Sequence, residues 1–149
     1  MPTIKSILAV GSIALDSIET VEGDRTEILG GSAIYFGLAA NLFSRVCLVG
    51  VVGNDFPQEY WNLLLKNKID INNVQVEPGK TFRWGGRYSN DYSSRQTLFT
   101  NLGVFENFNP TILDEYKKSQ YLFLGNIQPD LQLSVIKQMN ESKTIVCDT

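Results

Sequence analysis

The sequence predicts an α/β fold, a parallel sheet flanked by helices, with a smaller β layer set apart from it. Three observations point there. Residues 4–10, 46–52, 121–124 and 144–147 are short, largely apolar runs without strict alternation, the pattern of strands buried on both faces. Helix-start signals stand between them, at Ser32, Pro57, Asn109-Pro110 and Pro129. Residues 81–100 break that rhythm with strict alternation, the period of a strand with two unlike faces.

Taken in order, the first strand ends at Gly11-Ser12. Residues 16–21 and 25–29 flank Glu22-Gly23-Asp24 and read as a hairpin. Gly30-Gly31 follows, and Ser32 is placed to cap a helix over 33–43. That helix carries Ile34, Phe36, Leu38, Leu42 and Phe43 on most of its sides, so it is expected to pack deep. The strand at 46–52 ends in Gly53-Asn54-Asp55, and Pro57 opens a helix over 58–67. In the alternating segment, Phe82, Trp84, Gly86 and Tyr88 share one face, and Arg83, Gly85, Arg87 and Ser89 the other. A polar turn at 90–94 leads to a return strand at 95–100. The expected arrangement buries the aromatic face and leaves the arginines in water. Asn109 and Pro110 open a helix to 118, and Pro129 opens another to 140. The strands at 121–124 and 144–147 are expected to be buried. A buried parallel strand needs cover and a neighbour. With Thr149 following it so closely, residues 1–149 read as the N-terminal part of a larger α/β domain.

Composition narrows the function. At 149 residues and 43% hydrophobic, the chain is long enough to bury about 69% of its unfolded surface, and disorder is excluded. Lys and Arg number 13 against 16 Asp and Glu, a net charge of −3, so no basic excess exists to neutralise a nucleic-acid backbone. There is no His, which rules out Ser-His-Asp triads, Cys-His pairs and HExxH zinc sites. Cys47 and Cys147 both lie in apolar runs and read as small core residues, not as a disulfide. No signal peptide or membrane-spanning stretch is present, so a cytoplasmic protein without a membrane partner is expected.

A Gly pair ahead of a helix lets a ligand approach the backbone, and helix N–H groups there are able to bind its oxygens. The stretch at Gly30-Gly31-Ser32-Ala33 is neither a Walker A loop nor a GxGxxG fingerprint. Together with Val10-Gly11-Ser12-Ile13-Ala14-Leu15-Asp16 and Val49-Gly50-Val51-Val52-Gly53-Asn54-Asp55, it resembles the ribokinase-like (PfkB) carbohydrate kinase family. Lys80-Thr81 entering a strand, and strands ending at Gly125 and Asp148, fit the same pattern.

The resemblance implies a ribokinase-like parallel sheet with a small β lid made of segments near 16–29 and 81–100. It implies that Asp16 hydrogen-bonds sugar hydroxyls and that Gly30, Gly31 and Ser32 line the same pocket. A carboxylate suits that role because it accepts two hydroxyl donors at once. Tyr35 stands where many members carry Asn; it is longer and able to stack, which turns the expectation away from ribose itself. Trp84, with Phe82 and Tyr88, is a candidate wall for a sugar or base, with an Arg meeting an anionic substituent. The family's catalytic Asp, in a Gly-Ala-Gly-Asp motif, and most of its ATP site have no counterpart in these residues, so no catalytic residue is assigned and the 149 residues alone are expected to be inactive. The implied reaction is ATP- and Mg²⁺-dependent phosphorylation of a hydroxyl on a sugar or sugar-like molecule, this chain holding the acceptor. A nucleoside kinase of the same fold, or a non-catalytic sugar- or nucleoside-binding remnant, are the alternatives. Exposed lid edges also lead us to expect a homodimer through the β lid.

Overall fold

A computed structural model describes residues 6–140 and 144–149 of the chain. The predicted start of the first strand, at residues 4 and 5, lies outside them. In chain order the elements are β1 (Ser6–Val10), β2 (Ala14–Thr20), β3 (Gly23–Gly30), α1 (Ser32–Ala40), β4 (Arg45–Gly53), α2 (Gln58–Lys66), β5 (Asp70–Glu77), β6 (Phe82–Tyr88), β7 (Arg95–Asn101), β8 (Tyr121–Leu124), α3 (Pro129–Gln138) and β9 (Thr144–Cys147). Short 3-10 turns occupy Gly103–Asn107 and Asp114–Tyr116.

Five strands form a parallel sheet in the order β5-β4-β1-β8-β9. Its central strands are apolar throughout because alternate residues enter two different cores. Leu8, Val10, Cys47, Val49, Val51, Leu122 and Leu124 pack with Phe108, Ile112 and Val135 of α3 on one side. Ala9, Val46, Leu48 and Val52 pack with Ala33 and Ile34 of α1 and Leu64 of α2 on the other. Burying a Leu or Val in this way contributes about 1.5–3 kcal/mol each. The second sheet has the order β3-β2-β6-β7, with β2 and β6 parallel and the outer pairs antiparallel. The two predicted hairpins are thus joined edge to edge into one four-stranded layer.

Several expectations need correction. Residues 110–118 do not form a helix. Side chains take up the backbone groups a helix would have used: Ile112 N–H donates to Gln138 Oε1 (2.9 Å) and Leu113 N–H to Asn73 Oδ1 (2.9 Å). Asn73 Nδ2 donates to the Thr111 carbonyl and Gln138 Nε2 to that of Pro110. β5 was not foreseen, because its polar residues hide the strand period at this sheet edge. Helix α1 stops at Ala40 and is not deeply packed all round: Tyr35 is 56% exposed, and Leu42 and Phe43, beyond its end, are 81% and 90% exposed. β9 forms as expected; among the described residues it pairs with β8 alone and is exposed along its length, Cys147 with it, whereas Cys47 is buried and burial pushes its thiol up to about 12. Among the described residues no helix is long and apolar enough to cross a membrane.

Candidate functional site

The parallel pairing of β2 with β6 decides which side chains meet. Ala14 lies opposite Phe82, Asp16 opposite Trp84 and Ile18 opposite Gly86. Paired residues of neighbouring strands point to the same side, so these residues share one face and Leu15, Ser17, Glu19, Arg83 and Arg87 share the other. The first face closes over the loop after β1, the N-terminus of α1 and the end of β8. Between them is a cavity of about 520 Å³, lined by Ser12, Ala14, Asp16, Ile18, Gly31, Ser32, Tyr35, Phe82, Trp84, Tyr88, Arg95 and Asn126. Ligand sites of open α/β sheets form at this carboxyl edge of the strands.

Asp16 is 8% exposed, and burial raises its carboxyl from 3.8 to about 6. Gly30 does not line the cavity but lies behind that carboxylate: a Cβ at residue 30 would sit 2.0 Å from Asp16 Oδ2. Gly31 has φ +101, and a Cβ there would meet the Ser12 carbonyl oxygen at 2.3 Å, so only glycine fits this turn. Burial of the Tyr35 phenol and then the charge of Asp16 raise the Tyr35 pKa.

The start of α1 differs from expectation. Gly31, not Ser32, is the cap residue, and Ser32 makes no side-chain cap bond. Ser12 caps the helix from another loop: its Oγ accepts from Ser32 N–H (3.0 Å) and its carbonyl from Ala33 N–H (3.1 Å). Ser12 N–H in turn donates to Ser32 Oγ (3.2 Å). These bonds occupy the Ser32 and Ala33 N–H groups, two of those that sequence reasoning offered to a ligand, so Ser12 and Ser32 shape the cavity floor.

On the far face, the arginines are not simply solvated. Arg83 bridges Glu27 of β3 (Nε–Oε1, 2.5 Å) and Asp55 of the loop after β4 (2.9 Å). Asp55 also accepts from Thr81 N–H and Thr81 hydroxyl, both at 2.8 Å. Burial opposes ionisation of Asp55, but these bonds hold its carboxyl below the usual range. Arg87 pairs with Glu19 at 2.6 Å. The aromatic face therefore turns to the cavity and the paired arginines fasten the back of the second sheet to the core.

Sequence reasoning brought Asp16, Gly31, Ser32, Tyr35 and Trp84 to this cavity and missed Ser12, Asn126 and Arg95. Ser12 and Asn126 follow strand ends at the ligand-binding edge, a signal available in the sequence. Arg95 depended on the register of β6 with β7, which the sequence does not display. A larger cleft of about 660 Å³ lies at the β4–β5 edge, lined by Val51, Gln75, Glu77, Lys80, Asn107 and Phe108 among others. Its one carboxylate, Glu77, is exposed and Phe108 is its one aromatic residue, so the smaller cavity is the better candidate.

No protein-family model matches the chain. In sequence it is 28% identical over 142 residues to a cytidine kinase of Thermococcus kodakarensis, covering 94% of this chain and 50% of that protein. In structure it resembles the Methanocaldococcus jannaschii nucleoside kinase, an archaeal member of the ribokinase family, with a TM-score of 0.77 at 20% identity, covering 97% of this chain and 52% of the other. It also resembles the Burkholderia thailandensis nucleoside kinase solved in complex with inosine, with a TM-score of 0.75 at 20% identity, covering 89% and 47% of the two chains. The chain has the ribokinase-like α/β fold and spans about half the length of the relatives it matches.

Proposed function

We propose that this chain, with its ribokinase-like fold, is the acceptor-binding part of an ATP-dependent kinase that phosphorylates a hydroxyl of a sugar-bearing small molecule, and that a nucleoside is the acceptor its cavity suits best. One observation carries the reading: a buried carboxylate, Asp16, faces a cavity at the carboxyl edge of the sheet, opposite aromatic side chains of the second layer. A carboxylate accepts from two neighbouring sugar hydroxyls and so fixes the ring's orientation. Tyr35, Phe82 and Tyr88 offer apolar surface for a base, which a bare sugar would leave unused. The second sheet acts as a lid that keeps water from the acceptor.

Transfer itself needs groups this chain does not offer. Among the described residues no cluster of three or more His, Cys, Asp or Glu side chains could hold a metal ion. Neither Mg²⁺ nor the ATP phosphates are therefore assigned to residues here, and no step is routed through them. The resemblance gives the base to the Asp of a Gly-Ala-Gly-Asp motif; the work of this chain is to bind and orient the attacking hydroxyl.

The test is ATP-dependent phosphorylation of cytidine, inosine and ribose by the intact protein, read as ADP release, with Asp16→Ala as control. Turnover of a nucleoside that Asp16→Ala abolishes supports the reading. Acceptor binding without turnover favours the non-catalytic alternative, and turnover untouched by Asp16→Ala sinks the assigned site. We also infer a homodimer through the lid segments near 16–29 and 81–100. Its support is the edge strand β7, exposed along its length with Leu98 and Phe99 partly bare. Sedimentation at micromolar concentration tests it, and a monomer there would refute it.

A further inference from the structure

Arg95 opens β7 opposite Tyr88 and lines the same cavity as Asp16 and Tyr35. Its guanidinium carbon lies 4.9 Å from the centre of the Trp84 ring. That ring has room because residue 86 is glycine: a Cβ there would sit 2.1 Å from Trp84 Cη2. Trp84 thus serves as a platform for Arg95. Arg45, Arg83 and Arg87 each pair with a carboxylate, whereas among the described residues Arg95 has no such partner. A guanidinium held by its face keeps its N–H donors, which lie in its plane, free for a ligand.

Asp16 is level with Trp84, and Arg95 is attached four residues further along β6, its guanidinium reaching back over the Trp84 ring. The cavity thus holds a hydroxyl acceptor on β2 and a donor fork above the Trp84 ring. A phosphate at that fork is disfavoured. Among the described residues Arg95 is the cavity's sole cationic lining residue, Asp16 shares the space, and Arg83 and Arg87 face away with their charges matched. A neutral base edge fits better.

We propose that Arg95 reads the base of the acceptor and selects bases with two adjacent hydrogen-bond acceptors on one edge. This rests on the nucleoside reading above. Cytosine offers O2 and N3, and guanine and hypoxanthine offer O6 and N7 to a two-pronged donor. Adenine sets its amino donor beside N7 and N1, so no edge gives the fork two acceptors.

Calorimetric titration of the protein with cytidine, inosine, adenosine and ribose tests this, comparing the unmodified protein with Arg95→Ala, Arg95→Lys and Asp16→Ala. The unmodified protein should bind cytidine and inosine more tightly than adenosine. Both Arg95 variants should weaken cytidine and inosine about 5- to 150-fold, the worth of one bidentate pair, and leave ribose unchanged. Lys keeps the charge but not the fork, so it should not restore the preference. Equal losses for all four ligands, full rescue by Lys, or an Arg95-dependent preference for cytidine 5′-monophosphate over cytidine would each overturn the proposal. Binding that needs Asp16 but keeps its base preference without Arg95 overturns this inference alone. Binding of none of the four, or binding indifferent to Asp16→Ala, overturns the acceptor-site reading as well.

Discussion

Asp16 combines burial with a raised carboxyl, and both follow from its place on β2 facing the cavity with Gly30 behind it. Its value of about 6, against 3.8 for the free group, means the folded state holds the proton more tightly than the unfolded chain. This group's contribution to stability is therefore fully present below about pH 4 and is lost as pH rises to about 6. Acceptor binding runs the other way, because the hydroxyls need the ionised form. Affinity for cytidine should fall roughly tenfold per pH unit below about 6, and Asp16→Asn should bind weakly with no such slope; a flat profile in the unmodified protein would contradict this. Gly31→Ala should destabilise the fold by about 1–3 kcal/mol in urea denaturation, since a Cβ at φ +101 collides with the Ser12 carbonyl. The placing of Asp16 and Gly31 at one cavity was legible because a motif fixes it locally. That of Arg95 was not, since it depends on the pairing of β7 with β6 across a bulge between Gly85 and Gly86.

At the scale of elements, continuous apolarity identified the central strands β1, β4 and β8 correctly, because a strand buried on both faces has no polar side to show. The same signal found β9, which stands at the sheet edge and is exposed among the described residues of a chain spanning about half the length of its relatives. The helix-start signal at Asn109-Pro110 failed over 110–118, where Asn73 and Gln138, distant in sequence, satisfy the backbone and release it from helix formation. Such long-range polar satisfaction leaves no local periodicity to read. Arg83 is the element-level fastening of the second sheet, joining β6 to Glu27 of β3 and to Asp55 of the core. Arg83→Gln should remove about 1–3 kcal/mol from that joint. Amide exchange should then quicken over Phe82–Tyr88 and Arg95–Asn101 more than over Arg45–Gly53, and acceptor affinity should drop. Uniform quickening across both sheets would show that Arg83 holds up the whole fold and not the joint.

For the whole molecule, two sheets meet along the carboxyl edge of the larger one, and the cavity between them has a wall from each. The five-stranded sheet contributes Ser12 and Asn126 through its strand ends, while the four-stranded sheet contributes Asp16, Trp84 and Arg95. Its outer strand β7 is bare, so Phe99→Asp should convert the inferred dimer to monomers in sedimentation while leaving Asp16-dependent binding measurable. An unchanged dimer would place the interface elsewhere. The central claim, that this cavity holds the sugar of a phosphate acceptor, is tested most directly by a crystal structure of the protein with cytidine. Sugar hydroxyls should lie at about 2.6–3.2 Å from the Asp16 carboxylate, with the base beside Tyr35 and Arg95. Cytidine seated in the cleft between Val51, Gln75 and Asn107, with Asp16 untouched, would contradict it.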